Sequence, residues 1–557
     1  MTKWRIVTAS INSLAIALRR GWDAYARNIG KPRGDPMVRH VACNKTKDSE
    51  RENALPLTRR SVLQRAGWIL AAATFPPLAA RPLFGVPPAA GAQTRADYPI
   101  SDVMTRLSTY MCQARDHALP DDVVERAKLH ILDTFGAMVS GSELPAGRAA
   151  IRFARAYGGK EVATIVADTV LCGPIEAALA NAVMAHADES DDHMMGVGYH
   201  PGNSSVSAAL AVGEQFSTSG MHFLRAVVLG YDIGARVLHT VQPGLDVHKS
   251  SFSLGGVFGA TAAAACSASL TDQQMRWALS YAAQQCSGLS GTYPRDLDHI
   301  EKGFDFAGMP ARSGVTAALL VHEGWNGVND IMSGPDNFLL ANYPAANPAL
   351  LIDQLGEHYA MMDAGIKRWT SGGPSQEPLY AMEAMLKRQP IDPNKIQEVI
   401  LRAVRGHDNN TDNGGWPDLN IQYLLALMLI DKKATFRSIH DKARMQDPAI
   451  VALRQKVRLE PGFPGRRDPL IQITLTDGTR LVQDDVPTYV QNPLTREQVI
   501  AKARDLMEPV IGDTSTSRLI DRVLELEKIK NIHELRPLLQ WTNPAGPPRL
   551  SEYPYAK

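Results

Sequence analysis

The spacing of apolar residues changes near residue 363, and this change limits the folds open to the chain. From residue 98 to 362 they recur at helical spacing, as in PDDVVERAKLHILDTFGAMVSG, which starts with a proline and two acids and ends at Gly141. From 363 to 492 the stretch NKIQEVILRAV alternates like a half-buried strand. DPLIQITLTDGTRLVQDDV in the same region indicates a hairpin that turns at Asp477-Gly478. This part of the chain therefore predicts mixed α and β structure.

The last part of the chain returns to the helical pattern. Residues 493–541 are again spaced like helices, and residues 542–557 form a C-terminal tail. The fold class predicted is mainly α, with a large all-helical domain and a smaller α+β domain inserted before the C-terminal helices. A small domain inserted between helical pieces favours a binding cleft between the two domains.

Length and charge narrow the class of function. At 557 residues the chain is too long for one ordinary core, and 45% hydrophobic with 21% charged residues is typical of a globular protein. The 59 Lys and Arg residues nearly cancel the 58 Asp and Glu residues, which argues against nucleic-acid binding through phosphates. No stretch reaches the roughly 18 consecutive apolar residues of a membrane span. We therefore expect a small-molecule partner.

Residues 1–92 are predicted to lie outside the fold, as an N-terminal extension with an export signal. Arg59-Arg60 precede a short apolar run from Ala66 to Phe75, and small residues follow as far as Ala92. This order resembles a twin-arginine signal, and the alternative is a chance basic pair before a buried helix. The predicted location is the periplasm, with the cytoplasm as the alternative.

The stretch HADESDDHMMGVGYHPG (186–202) concentrates ionisable residues at the end of a predicted helix. Four acids and three histidines lie between residues 186 and 200. A metal site, an acid–base site and a solvated loop are all compatible with this composition. The stretch has neither the helical His-x3-His spacing of HExxH nor the regular oxygen spacing of a calcium loop. Spacing alone leaves the three interpretations open.

Four motifs, in the same order along the chain, resemble the MmgE/PrpD family. The first is this acidic stretch with its His-Pro-Gly, and the others are GMPARSGVTAALLVHEGWNG, GIKRWTSGGPSQEPLYAMEAM and WPDLNIQYLLALMLID. The resemblance spans roughly Tyr98 to Leu539. It implies a large helical domain with a smaller α+β lid, a homodimer, an active site between the domains, and neither a metal nor an organic cofactor.

The resemblance also assigns candidate site residues. Five positions become catalytic candidates: His200, Lys367, Tyr423, Glu189 and His193. Four become substrate-binding candidates: Arg312, His248, Ser250 and Lys302. His248 matches a second family histidine only if two extra residues precede the Gly-rich helix, whereas ungapped spacing reaches Ser250.

The chemistry implied by the resemblance is removal of a proton or a carboxylate next to a carboxyl group of a small di- or tricarboxylate. Fixed cations such as Lys367 and Arg312 would stabilise the negative charge that develops, and a histidine such as His200 would move the proton. We therefore expect a cofactor-independent lyase of the dehydratase type, similar to 2-methylcitrate dehydratase. The alternatives are a decarboxylase or an epimerase of the same family, a metal-dependent hydrolase, and a non-catalytic carboxylate-binding protein.

Overall fold

Helices make up most of the fold, as the spacing of the apolar residues predicts. The computed structural model describes residues 98–289, 298–403, 412–461, 470–484 and 491–541, and all of them belong to one compact unit. The helices of the first part are α1 Asp102–Gln113, α2 Asp121–Gly141, α3 Pro145–Tyr157, α4 Pro174–His186, α5 Pro201–Phe216, α6 Gly220–Val241, α7 Ser251–Ser267, α8 Asp272–Gln284, α9 Ile300–Gly303, α10 Met309–His322 and α11 Phe338–Asn342. Those of the later part are α12 Gly373–Arg388, α13 Ile421–Asp431, α14 Phe436–Ile439, α15 Pro448–Arg454, α16 Arg496–Ile511, α17 Asp513–Leu524 and α18 Arg536–Leu539.

The helical part is built around α7, which is buried along nearly its whole length. Its sequence SFSLGGVFGATAAAACS is rich in Gly and Ala, and it packs against α5, α6, α8 and α10. Small side chains let neighbouring helix axes approach closely, so this composition suits a helix enclosed on all sides. After the strands, α16 packs against α2, which returns the chain to the helical part as the sequence predicts.

Gly141 allows α2 and α4 to approach closely. A Cβ atom at this position would overlap the carbonyl oxygen of Met184 and lie 3.2 Å from the Cβ of Ala187. Gly141→Ala is therefore expected to destabilise the fold by about 1–3 kcal/mol, measured by urea unfolding. The control is Gly196→Ala, because a Cβ at Gly196 would have open space around it. Equal unfolding midpoints for the two variants would contradict the close approach.

A mixed four-stranded sheet, in the order β4-β3-β5-β6, lies in the later part of the chain. Its strands are β3 Ile396–Ala403, β4 Val457–Pro461, β5 Leu470–Leu475 and β6 Arg480–Gln483, while β1 Ala163–Thr164 and β2 Leu171–Cys172 form a separate short pair. β4 runs parallel to β3, whereas β5 is antiparallel to both β3 and β6. Gly478 has φ +87° in the turn between β5 and β6, which confirms the predicted hairpin.

This sheet and the helices beside it have their own hydrophobic core. Buried apolar residues between Trp369 and Ile473 form a cluster separate from the main core, which runs from Met104 to Leu539. We call the residues from Trp369 to Gln483 the α+β region. The mainly α fold with a small sheet agrees with the fold class predicted from the sequence. The domain boundaries at 362 and 492 stay predictions.

Several predictions concern features that the structure does not describe. The export signal in residues 1–92 and the tail 542–557 lie outside the described residues. Within the described residues, no helix is both long enough and apolar enough to cross a bilayer. The periplasmic location and the homodimer stay predictions.

Candidate active site

The loop between α4 and α5 buries its acidic residues. Asp188, Glu189, Asp191 and Asp192 are each at most 3% exposed. A solvated loop is therefore the wrong interpretation of this stretch. Buried carboxylates need partners, because removing an unpaired charge from water is costly. The partners of these four acids define the site.

Asp192 anchors the loop to the helices around it. Its carboxylate is bonded to His130 Nδ1, accepts a 2.6 Å hydrogen bond from the hydroxyl of Tyr231, and accepts the backbone N–H of Gly202 at 2.9 Å. The bond to Gly202 fixes the first turn of α5, and His200 lies immediately before that turn as the N-cap residue. Asp192 therefore has a positioning role for His200.

Lys502 supports the same loop from the C-terminal helix α16. Its ammonium donates a 2.8 Å hydrogen bond to the carbonyl of Ser190 and lies 2.5 Å from Asp133 Oδ1. Burial raises the pKa of Asp133 to about 7, although the charge of Lys502 acts in the opposite direction. The return of the chain to the helical part thus supplies a contact that holds the site loop.

Asp191 lies at the centre of the cluster. Its Oδ1 is 3.3 Å from Lys367 Nζ and 3.6 Å from His200 Nδ1. Its Oδ2 accepts hydrogen bonds from Asn203 Nδ2 and His186 Nδ1, each at 2.9 Å. Burial alone would raise the pKa of Asp191, but His200, His186 and Lys367 together hold it well below its ordinary value. Asp191 is therefore an ionised carboxylate shared by an imidazole and an ammonium group.

Glu189 pairs with a second buried ammonium group. The ammonium of Lys302 contacts its carboxylate and donates a 2.9 Å hydrogen bond to His186 Nε2. Burial alone would raise the pKa of Glu189, yet Lys302, His299 and His186 hold it well below its ordinary value. Glu189 has φ +59°, a left-handed conformation that is uncommon for a residue with a Cβ. Lys302 is followed by a π-helical turn at Phe304–Gly308, a feature frequent at functional sites.

His200 is buried and neutral. Its Nδ1 donates a 2.6 Å hydrogen bond to the carbonyl of Asp192, and its ring contacts the rings of His193 at 4.8 Å and Phe252 at 5.0 Å. Burial lowers the pKa of His200 to about 3, and the nearby charge of Lys367 adds to this effect. Because Nδ1 carries the proton, Nε2 is the ring nitrogen that can accept one.

Lys367 reaches the cluster from the segment that leads into the α+β region. Gly365 pairs with His193 through two backbone hydrogen bonds of 2.9 and 3.0 Å, which joins this segment to the site loop. Two residues later, the fully buried Lys367 donates a 2.7 Å hydrogen bond to the carbonyl of Glu189. The structure therefore brings together five predicted residues: His200, Lys367, Glu189, His193 and Lys302.

The other four predicted residues lie outside this cluster. Tyr423 is buried in the second core, where the apolar helix α13 turns its hydroxyl to the carbonyl of Ser438 at 2.6 Å. Arg312 is on the exposed face of α10, and His248 is exposed in the loop before α7. Ser250 is buried, but its hydroxyl caps α7 by accepting the N–H of Ser253 at 3.2 Å. The structure therefore places these four residues outside the cluster, and any role in a reaction stays a prediction.

His299 is a member of the cluster that the sequence analysis missed. Its Nδ1 lies 3.3 Å from Glu189 Oε1 and its Nε2 lies 3.5 Å from Asp418 Oδ2. No motif surrounds His299, and it is more than 100 positions from both carboxylates. Only the fold could have revealed this contact.

Three residues offer a set of metal-binding atoms. His186, Asp191 and His200 each present one ligand atom, and these atoms lie within 4.8 Å of one another. Two histidines and a carboxylate are a ligand set that zinc accepts. However, the ammonium groups of Lys302 and Lys367 are bonded to His186 and Asp191, so a divalent cation would have to sit beside two positive charges. The surroundings therefore suit an anion better than a resident metal ion.

Comparison with known proteins places the chain in a family. The models of the MmgE/PrpD N-terminal and C-terminal domains match residues 105–350 and 369–526. Cis-aconitate decarboxylase of Aspergillus terreus is 23% identical over 458 residues, which cover 76% of this chain and 92% of that protein. The human cis-aconitate decarboxylase is 26% identical over 459 residues, which cover 76% of this chain and 92% of that protein. The cis-aconitate decarboxylase-like protein oryM of Aspergillus oryzae is 25% identical over 484 residues, covering 79% of this chain and 98% of that protein. The two family models match both the helical part and the α+β region, and the chain belongs to the MmgE/PrpD family.

Proposed function

We propose that this chain is a cofactor-independent lyase that acts on small di- or tricarboxylates through a carbanion formed next to a carboxylate. Family membership and the cis-aconitate decarboxylases among its relatives support a lyase of small carboxylates. The observation that carries the proposal is the meeting of His200 and Lys367 on one oxygen of Asp191, at 3.6 and 3.3 Å. A proton-transfer group and a fixed cation are thereby held next to each other.

The two buried ammonium groups have a chemical role in this proposal. When a proton or CO2 leaves the carbon next to a carboxylate, negative charge spreads onto the oxygens of that carboxylate. Lys367 and Lys302 are fixed in position by Asp191 and Glu189, so they need no reorganisation when this charge develops. Their burial keeps water away, which strengthens their interaction with a bound anion.

Decarboxylation is the first candidate reaction, because the relatives described above are named as cis-aconitate decarboxylases or a protein like them. Dehydration, which the sequence analysis favoured, is the second. The neutral state of His200 supports dehydration, since a neutral imidazole can accept the proton that a dehydratase removes from carbon. The two reactions differ in their products, so one experiment separates them.

The purified protein should be incubated with cis-aconitate, citrate, 2-methylcitrate and aspartate-derived diacids. We expect CO2 release from an unsaturated tricarboxylate, measured together with the ultraviolet absorbance of unsaturated acids. Dehydration would instead raise that absorbance with a hydroxy acid as substrate and release no CO2. A Lys367→Met preparation serves as the control for contaminating enzymes. Binding of a tricarboxylate without any turnover would favour the binding-protein alternative, and loss of activity on chelation would favour a metal-dependent hydrolase.

A further inference from the structure

We propose that His299 is a proton-relay residue that connects the buried cluster with solvent through a small cavity beside it. This inference rests on the proposed function, because it supplies a proton that decarboxylation consumes. His299 is 7% exposed and lies between a carboxylate of the site loop and a carboxylate of the α+β region.

The backbone holds the ring of His299 in place. Its φ of +57° is in the left-handed region, which costs roughly 1–3 kcal/mol for a residue with a Cβ. The ring centroid lies 3.7 Å from that of Trp416, while Nδ1 lies 3.3 Å from Glu189 and Nε2 lies 3.5 Å from Asp418, neither in hydrogen-bond geometry. The ring therefore has a carboxylate of the site loop near one nitrogen and a carboxylate of the α+β region near the other, and a small rotation is enough for a relay.

A cavity of about 70 Å³ adjoins the outer side of this ring. It is lined by the apolar residues Leu144, Pro145, Ala187 and Pro417 and by the polar and aromatic residues Asp298, His299, Trp416, Asp418, His440 and Lys442. Since one water molecule takes up about 30 Å³ in the liquid, there is room for about two. At its outer end, the 63% exposed Lys442 pairs with Asp298 at 2.8 Å, so the cavity reaches the protein surface.

A second histidine, His440, lines the same cavity. His440 donates from Nδ1 to the carbonyl of Phe436 at 3.0 Å, and its Nε2 lies 3.8 Å from Asp418 Oδ2. Asp418 thus has an imidazole on each side. Protons entering from the cavity therefore meet titratable groups at each step toward His299.

The inner end of the path is Glu189. Its carboxylate contacts both His299 and the ammonium of Lys302, the cation that faces the candidate site. A proton from His299 can therefore pass to Lys302 through this carboxylate. The charged or titratable groups around His299 are accordingly Glu189 and Lys302 on the inner side, and Asp418, His440, Asp298 and Lys442 on the outer side.

The proposed reaction requires such a path. In decarboxylation the carbon–carbon bond breaks, CO2 leaves, and the electron pair that stays on carbon takes up one proton from solvent in each turnover. His200 carries no spare proton near neutral pH, because burial lowers its pKa to about 3. Lys302 can give a proton to the carbon. It can then regain a proton from His299 through Glu189. Water in the cavity can finally protonate His299 again. Dehydration consumes no net proton, so the relay belongs to decarboxylation.

The test compares His299→Ala and His299→Gln with wild-type protein in CO2 release from cis-aconitate between pH 6 and 9. We expect kcat to fall roughly 10- to 100-fold with little change in KM, and the pH profile to differ from that of the wild type because the relay imidazole is gone. Added imidazole should restore kcat of the alanine variant, more at pH 6 than at pH 8, because its protonated form is the donor. His117→Ala, which changes an exposed histidine, is the control and should match the wild type.

A purely structural role for His299 would give a different result. If both variants fold and show the pH profile of the wild type, or if imidazole restores nothing at any pH, the relay is wrong. The glutamine variant guards against misfolding of the alanine variant, since its side chain still fills the space between the two carboxylates. A wild-type protein that dehydrates a hydroxy acid but releases no CO2 would overturn the relay and leave the proposed lyase. A wild-type protein that turns over no carboxylate at all would overturn the proposed function itself.

Discussion

Replacing His200 with asparagine is expected to lower kcat for dehydration of a hydroxy acid by roughly 10²- to 10⁴-fold, the usual contribution of a general base. The amide nitrogen of asparagine can take the place of Nδ1 and keep the 2.6 Å hydrogen bond to the carbonyl of Asp192. Nε2, the nitrogen that accepts the proton from carbon in the proposed dehydration, is lost. The measurement is kcat with the best substrate of the carboxylate panel, together with the dissociation constant of that substrate.

The control for this variant is His117→Asn, which changes an exposed histidine in the same way. We expect the affinity of the His200 variant for substrate to stay within a few-fold of wild type, because the cations that bind carboxylates are untouched. If the variant keeps more than a tenth of the wild-type kcat, His200 is not the proton-transfer residue.

The pH dependence of kcat/KM offers a second test of the state of His200. A histidine with a depressed pKa is neutral above that pKa and becomes charged only as pH falls through it. Because burial lowers the pKa of His200 to about 3, the free enzyme keeps the neutral ring throughout pH 5 to 9. We therefore expect that titration of His200 causes no rise or fall of kcat/KM in that pH range. A decline with an apparent pKa near 6.5 that disappears in His200→Asn would contradict this assignment.

Local sequence patterns were sufficient to predict most of the fold. The hairpin followed from Asp477-Gly478, since glycine supplies the positive φ that the turn requires. Helix α2 followed from the helical spacing of its apolar residues, and it begins after Pro120 and ends at Gly141 as the sequence predicts. Both features depend on neighbours in the chain. The domain boundaries depend on which residues share a core, and this is decided by contacts between distant segments.

The candidate site was predictable where motifs carry it, and not elsewhere. His200, Glu189 and Lys367 lie in the family-like stretches, and the structure brings them together. Arg312 lies in such a stretch too, but the helix turns its side chain outward while Ala311 and Ser313 beside it are buried. A motif fixes the position of a residue in the chain, whereas the packing of the whole helix decides which way its side chain points.

The sequence shows the four acids of the site loop, but it does not show that they are buried and paired with cations. Composition could not distinguish a wet loop from a buried network, because both use the same residue types. The difference comes from cations supplied far along the chain: Lys302, Lys367 and Lys502 approach the loop from three separate segments. Each buried acid is stable only because one of these groups or a hydrogen-bond donor reaches it, so the loop and the rest of the fold depend on each other.

Lys367→Met is expected to lower kcat by roughly 10²- to 10³-fold, the usual effect of removing one preorganised group that stabilises developing charge. The change also removes a cation 3.3 Å from Asp191 Oδ1 in a fully buried position. Breaking a buried ion pair in this way costs about 3–5 kcal/mol of folding free energy, because the remaining carboxylate is left without its partner. Activity must therefore be measured well below the unfolding temperature of the variant, with urea unfolding recorded in parallel.

Adding Asp191→Asn to Lys367→Met separates the two effects of the substitution. The double variant no longer buries an uncompensated carboxylate, so we expect it to recover stability but not activity. Lys387→Met is the matched control, since Lys387 is 68% exposed and pairs only with Glu383 among the described residues. Its kcat and unfolding midpoint should equal those of the wild type. If activity returned together with stability in the double variant, Lys367 would act by holding the fold, and the charge that develops on the substrate would have to be stabilised by another group such as Lys302.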